Sequence, residues 1–188
     1  MQSINFVLSG LGGQGILFMT KIIAKTALRK GFDIMGAETH GMAQRGGSVI
    51  SHLRLGNIRS SLVKPGSAQY LLSLDENEAY RNLSFLAPKG KLFSDAQTQD
   101  FPLPTVKSYL EQQAISYHSL PARKLALDIG APVSSNLALI GFFASYDPEP
   151  FSSDDFRETI ETVSPDKFRD INLKVFEEGL AAALSNKQ

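Results

Sequence analysis

Ile4-Asn-Phe-Val-Leu-Ser-Gly10-Leu-Gly-Gly-Gln-Gly15 is the stretch that decides the fold. Ile4 to Ser9 is a short apolar, β-branched run that stops at Gly10. Ile16 to Arg29 then carries apolar residues near helical spacing until Gly31. The reading is strand, glycine turn, helix. Phe32 to Ala37 returns as a second strand, and the resulting βαβ unit favours a parallel sheet with right-handed crossovers.

Working outward, Gly47 to Leu55 alternates Val49, Ser51, Leu53 and Leu55 against Ser48, Ile50, His52 and Arg54. The pair Gly56-Asn57 predicts a hairpin with Ile58 to Val63. Further on, Tyr70 to Leu74 reads as a buried strand, Glu76 to Leu86 as a helix and Lys91 to Ser94 as a strand. Thr105 to Gln113 reads as a helix, Ile115 to Ser119 as a strand, and Ala122 to Ile129 as a helix closed by Gly130. The remainder reads as helical. Ser135-Asn136 opens a strongly apolar stretch through Phe143, suited to a buried helix or a subunit contact, Asp147-Pro-Glu-Pro150 breaks the chain, and Ser164-Pro165 starts a last helix to about Leu184. The expectation is one domain over residues 1–188: a three-layer α/β/α, Rossmann-like fold whose mainly parallel sheet carries a β-hairpin extension and C-terminal helices.

Composition narrows the function. Nineteen basic and nineteen acidic residues cancel, so no global field draws the chain to nucleic acid or an acidic membrane. Cysteine is absent, which removes disulfides, thiolate zinc sites, a nucleophilic thiol and the ligands of an iron–sulfur cluster. Any redox metal belongs to another chain. The N-terminus lacks a signal-peptide pattern and no apolar run has membrane-spanning length, so the chain reads as soluble and cytoplasmic.

Two segments carry chemistry. Gly10-Leu-Gly-Gly-Gln-Gly15 fits Gly-x-Gly-x-x-Gly between a strand and a helix, and such a turn aims backbone N–H groups at an anion, so Gly12, Gly13, Gln14 and Gly15 are candidate cofactor-binding residues. The same glycines also suit a tight turn that only packs helix on strand. Asp33 or Glu38 lies loosely where a dinucleotide-binding fold places a ribose-binding acid. The second segment, Gly36-Ala-Glu-Thr-His-Gly-Met-Ala-Gln-Arg-Gly-Gly-Ser-Val-Ile-Ser-His-Leu-Arg54, crowds Glu38, His40, Gln44, Arg45, His52 and Arg54 among glycines. It reads as a site or subunit interface, or as a solvated loop leading into a hairpin. His40 and His52 lack a matching third ligand for zinc, and no hydrolytic nucleophile has an elbow or an orienting acid.

Together, Gly10-x-Gly12-Gly13-Gln14-Gly15 and Glu38-x-His40-Gly41-Met42-Ala43-Gln44-Arg45-Gly46-Gly47-Ser48-Val49, with Ser51-His52-x-Arg54, resemble the γ domain of 2-oxoacid:ferredoxin oxidoreductases. Within that family the string is most similar to the β subunit of the indolepyruvate enzymes. Asp75, Glu78, the Gly90 turn, and Asn136 opening an apolar helix with Gly141 also fall where family members show similar features. The resemblance implies a non-catalytic subunit of a complex that oxidatively decarboxylates a 2-oxoacid, such as an aryl pyruvate, to an acyl-coenzyme A and passes electrons to ferredoxin. It implies thiamine diphosphate, magnesium and iron–sulfur clusters on a large partner subunit, with coenzyme A as co-substrate and no cofactor held by this chain alone. Glu38, His40, Gln44, Arg45, Gly46 and Gly47 are then expected to face that partner and its active site, with no catalytic residue and no metal ligand on this chain. A γ subunit for 2-oxoglutarate or another keto acid, and a stand-alone NAD- or FAD-binding oxidoreductase, are the alternatives.

Overall fold

A computed structural model describes residues 3–41, 46–97 and 101–185. Its sheet has six strands, in the spatial order Ile34–His40 (β2), Ser48–Leu55 (β3), Ile4–Leu11 (β1), Ala68–Ser73 (β4), Leu86–Asp95 (β5) and Ser116–Leu120 (β6). β1, β4, β5 and β6 run parallel, while β3 is antiparallel to both β1 and β2. This is the mainly parallel α/β sheet with a hairpin extension that the sequence predicts.

The hairpin, however, is formed by other residues. Gly56 does turn the chain, with φ 92, but 58–63 is not a strand. The reason is topological: β3 gives one edge to β1 and the other to β2, so no edge is left for a following strand to pair. Arg54 holds this segment instead, donating from Nη1 to the Ser60 carbonyl at 3.0 Å and to its hydroxyl at 2.9 Å. β3 also separates the two strands of the expected βαβ unit, which run parallel but do not touch. Glu76 to Leu86 likewise divides: Glu76–Asn82 (α2) is helical, Leu83–Phe85 is a tight 3₁₀ turn, and Leu86 already belongs to β5.

Alternation along the strands builds two apolar layers. Phe6, Leu8, Leu72 and Phe93 face one side, where they meet Ile16–Arg29 (α1), Ala122–Asp128 (α4), Ser135–Ala144 (α5), Ser153–Val163 (α6) and Asp166–Ser185 (α7). Val7, Leu71 and Leu92 face the other and meet α2 and Pro104–Gln112 (α3). Every residue of α5 is buried. A helix apolar on all sides has to be enclosed, and here α1, α4, α6 and α7 enclose it within the chain. The helix α6 is not resolved by the reading of the C-terminal region as simply helical. Its signal is a capping box, in which Ser152 Oγ accepts from Asp155 N at 3.2 Å and the Asp155 carboxylate accepts from Ser152 N at 2.8 Å.

Candidate functional site

The glycine turn is built partly for packing and partly for openness. Gly13 and Gly15 have φ of 96 and 84, the left-handed region where glycine avoids the Cβ penalty. Gln14 folds back on the turn, its Oε1 accepting from Leu11 N at 2.6 Å while its own N–H donates to Leu11 O at 3.1 Å. That carbonyl is spent on holding the turn. Gly15 is fixed by Asn136, whose Nδ2 donates to the Gly15 carbonyl at 3.1 Å and whose Oδ1 accepts from Leu137 N at 2.8 Å. At Gly13, by contrast, an added Cβ would find no atom within 4 Å. The N-terminus of α1 has neither a side-chain cap nor an acid in its first turn, so its positive end is open to an anion.

The two glycine segments, far apart in sequence, meet where Gly10 and Leu11 of β1 pair with Val49 and Ser48 of β3, and just beyond that ladder Gly12 N–H donates to Gly47 O at 2.8 Å. Gly46 has φ 71, and Gly41 N–H donates to Ser48 O at 2.7 Å, extending the β2–β3 pairing by one residue. Glu38 and His40 lie exposed on β2. They share the α1 side of the sheet with Ser51 and Val49, their cross-strand partners. Gln44 and Arg45 lie outside the described residues.

His52 and Arg54 point to the opposite side and are structural. Arg54 Nε donates to Asn5 Oδ1 at 2.9 Å. Buried His52 accepts from Val63 N at 3.4 Å and packs edge-on against Phe85. Burial pushes the His52 pKa below its ordinary 6.5. The unfolded chain therefore takes up a proton that the folded chain refuses, and the stability contributed by neutral His52 is full above pH 6.5 and lost as pH falls toward the lower folded value. The urea midpoint is expected to drop on going from about pH 7 to pH 5. The drop should be smaller in His52→Phe, and equal drops in both proteins would show that His52 is not its source.

Several contacts near the strand ends escape sequence reading, although Glu78 itself was singled out by the family resemblance. The topology reverses between β1 and β4, β1 crossing through α1 toward β2 and β4 through α2 toward β5, the position at which open α/β sheets commonly take ligands. There Ser9 Oγ donates to Ser73 Oγ at 2.9 Å and Leu74 N to Ser9 O at 2.9 Å. Buried Glu78 accepts from Ser48 Oγ at 2.6 Å and from Arg81 at 2.5 Å, tying α2 to the start of β3. Asp95, at the end of β5, is buried and its pKa is raised by that burial. It accepts from Arg123 N at 3.4 Å, and the Arg123 guanidinium reaches the Leu74 carbonyl at 3.3 Å. Apart from the i,i+3 pair of Glu78 and Arg81 within α2, these pairings have no fixed sequence spacing and are not legible before the strands are ordered.

Two clefts flank the turn and share Gly15 and Phe18. One, of about 380 Å³, runs between Leu11, the glycines, Leu17, His40 and Val49. The other, of about 400 Å³, is lined by apolar residues including Val133 and Phe168, with Asn136 and Asn172 at its polar edge. Among the described residues no three His, Asp or Glu side chains converge as a metal ligand set. The position of a ribose-binding acid is also altered. With β3 inserted, Glu38 stands two strand spacings, about 9.6 Å, from β1 rather than one.

The family model for pyruvate ferredoxin/flavodoxin oxidoreductase matches residues 5–182. Indolepyruvate oxidoreductase subunit IorB of Thermococcus kodakarensis is 33% identical, over 97% of this chain and 97% of its own. The crystal structure of the keto/oxoacid ferredoxin oxidoreductase gamma subunit of Geobacter sulfurreducens superposes with a TM-score of 0.77 at 20% identity, over 97% of this chain and 99% of that one. The 2-oxoglutarate:ferredoxin oxidoreductase of Magnetococcus marinus, solved with 2-oxoglutarate, coenzyme A and succinyl-CoA bound, gives 0.77 at 17% identity. There this chain's fold covers 98% of its own length and 32% of the larger chain.

Proposed function

The chain belongs to the pyruvate ferredoxin/flavodoxin oxidoreductase family, and on that premise we propose that it is the supporting subunit of a complex that oxidatively decarboxylates an aryl 2-oxoacid such as indolepyruvate. The products are an acyl-coenzyme A, carbon dioxide and two electrons passed to ferredoxin. A large partner subunit supplies thiamine diphosphate, magnesium and iron–sulfur clusters, since a chain without cysteine has no thiolates for a cluster. This chain supplies a surface. Glu38, His40, Gln44, Arg45, Gly46 and Gly47 face the partner, and the turn from Gly12 to Gly15 takes an anionic group, such as a phosphate of coenzyme A, at the open end of α1.

The observation that carries this reading is the Gly12 to Gly47 bond, because it makes one composite surface of the glycine turn and the polar segment. The fold's occurrence both as a separate gamma subunit and within a larger oxidoreductase chain supports a role beside a catalytic unit. Indolepyruvate is favoured over other oxoacids by full-length similarity at 33% identity to an indolepyruvate oxidoreductase subunit.

Co-expression with the thiamine diphosphate-containing large subunit tests it. The wild-type chain is expected to co-purify and to support oxoacid- and coenzyme A-dependent reduction of ferredoxin. Gly13→Ala is expected to assemble normally but to raise KM for coenzyme A by about tenfold, the loss of one or two charge-assisted bonds. Arg45→Ala is expected to lower turnover or assembly. Normal assembly and full activity in both variants would refute the site, and micromolar binding of NAD by the isolated chain would favour a stand-alone oxidoreductase.

A further inference from the structure

The outermost strand, β2, leaves a row of backbone groups with no ladder partner among the described residues. Its register with β3 pairs Ile34 with Leu55 and His40 with Val49 without a shift. Gly41 N–H donates to Ser48 O and Gly56 N–H to Asp33 O, at either end of that ladder. In an antiparallel pair, bonded and non-bonded positions alternate. Met35, Ala37 and Thr39 therefore exchange their bonds with β3, whereas Ile34, Gly36, Glu38 and His40 direct their N–H and C=O groups away from the sheet. A bare edge of this kind is ordinarily blunted by charged side chains, above all lysine, or by proline or a bulge. The single charge here, Glu38, is one that the functional reading turns toward the partner; proline, lysine and bulge are the remaining devices. Ile34-Met-Gly-Ala-Glu-Thr-His40 has none of the three.

We propose that β2 receives an extended strand of the large partner subunit, which continues the sheet and places an apolar side chain in the cleft beside α1. This rests on the functional reading above and specifies how the two chains meet. The cleft determines the chemistry of the incoming strand. Its approximately 380 Å³ are lined by Leu11, Leu17, Phe18 and Val49, with His40 as the titratable residue on the β2 side. A side chain opposite His40 on the α1 face would fall over that opening, and strand addition typically works this way, with affinity from the ladder and selectivity from a pocket for alternate side chains. A second copy of this chain is the weaker occupant. Pairing along seven residues alone falls short of the roughly 1,200 Å² that stable interfaces bury. The large subunit is the stronger occupant because, on the functional reading above, it already meets this strand at the exposed Glu38 and His40 and buries area beyond the ladder.

Amide hydrogen exchange on the unmodified chain, alone and in the co-purified complex, decides this without a mutation. Alone, the amides of residues 36, 38 and 40 are expected to exchange much faster than those of 35, 37 and 39. In the complex they should slow by at least about a hundredfold, as a new ladder forms. Gly36→Pro removes one outward N–H and leaves the β3 ladder intact, and at Gly36 an added Cβ meets its nearest atom, His52 O, at 3.4 Å. It is expected to weaken association about tenfold or more. Even-numbered amides that stay fast in an assembled complex would overturn strand addition while leaving the functional reading standing. Failure of the wild-type chain to co-purify would overturn both. An isolated chain that is dimeric with those amides already slow would assign the edge to a second copy and sink the partner strand.

Discussion

Gly141→Ala is expected to destabilise the fold by about 3 kcal/mol or more, and Gly179→Ala by a similar amount. Each substitution would ordinarily help, since alanine in a helix is favoured over glycine by up to about 1 kcal/mol. Here the two helices meet backbone to backbone. A Cβ on Gly141 of α5 would stand 2.0 Å from Phe176 O and 2.9 Å from Leu180 N of α7, and one on Gly179 of α7 would stand 2.1 Å from Ala138 O of α5. No rotamer change relieves a collision with main chain, so the helices must separate and open voids around Leu137, Phe143 and Phe176, which are fully buried. The collision outweighs the propensity gain severalfold. Against a typical total stability of 5–15 kcal/mol, roughly, either variant should unfold at markedly lower urea, and the double variant is expected not to fold. Equilibrium urea unfolding gives the answer. A midpoint unchanged or raised in Gly141→Ala would mean that α5 and α7 do not approach this closely.

How much of this was legible in the sequence depends on whether the signal was local. The glycine turn was, because Gly10 to Gly15 lies between a strand and a helix with clean periodicities, and the structure keeps β1, the turn and α1 together. The buried character of α5 was legible too, since ten consecutive residues without a charge leave no face for water. Strand pairing was not. Gly56-Asn57 is a good turn signal, and it does turn the chain, but whether 58–63 pairs depends on which strand edges are already occupied. That information resides in the register between Ile34–His40 and Ser48–Leu55. The same non-local term divides the polar segment. Glu38 and His40 differ from His52 and Arg54 in which side of the sheet they face, and strand alternation separates them only once Glu38 is placed opposite Ser51. The contacts of Glu78 with Ser48 and of Asp95 with Arg123 were harder still, because they depend on elements brought side by side from distant parts of the chain.

The turn itself yields the second large effect, with Gly15→Ala expected to cost about 3 kcal/mol of stability and to abolish the anion site proposed there. Two terms add at this residue. With φ at 84, any Cβ carries a left-handed backbone penalty of about 1–2 kcal/mol. That Cβ would also sit 2.3 Å from Asn136 Nδ2 and 3.2 Å from Asn136 Cγ, displacing the amide that holds the Gly15 carbonyl and the first turn of α5. Gly13→Ala carries only the first term, since no atom lies within 4 Å of its added Cβ. The two terms separate in a double-mutant cycle. Asn136→Ala removes the collision partner, so in that background Gly15→Ala should cost only the backbone penalty, about 1–2 kcal/mol, leaving a coupling energy of at least about 1 kcal/mol. Additive effects within about 0.5 kcal/mol would show that Asn136 does not fix the turn. Coenzyme A-dependent turnover of the proposed complex should follow the geometry of the turn more than its stability. Gly13→Ala and Gly15→Ala/Asn136→Ala, although folded, should both be impaired, because each shifts the N–H groups at the start of α1, and an anion is held only where they converge.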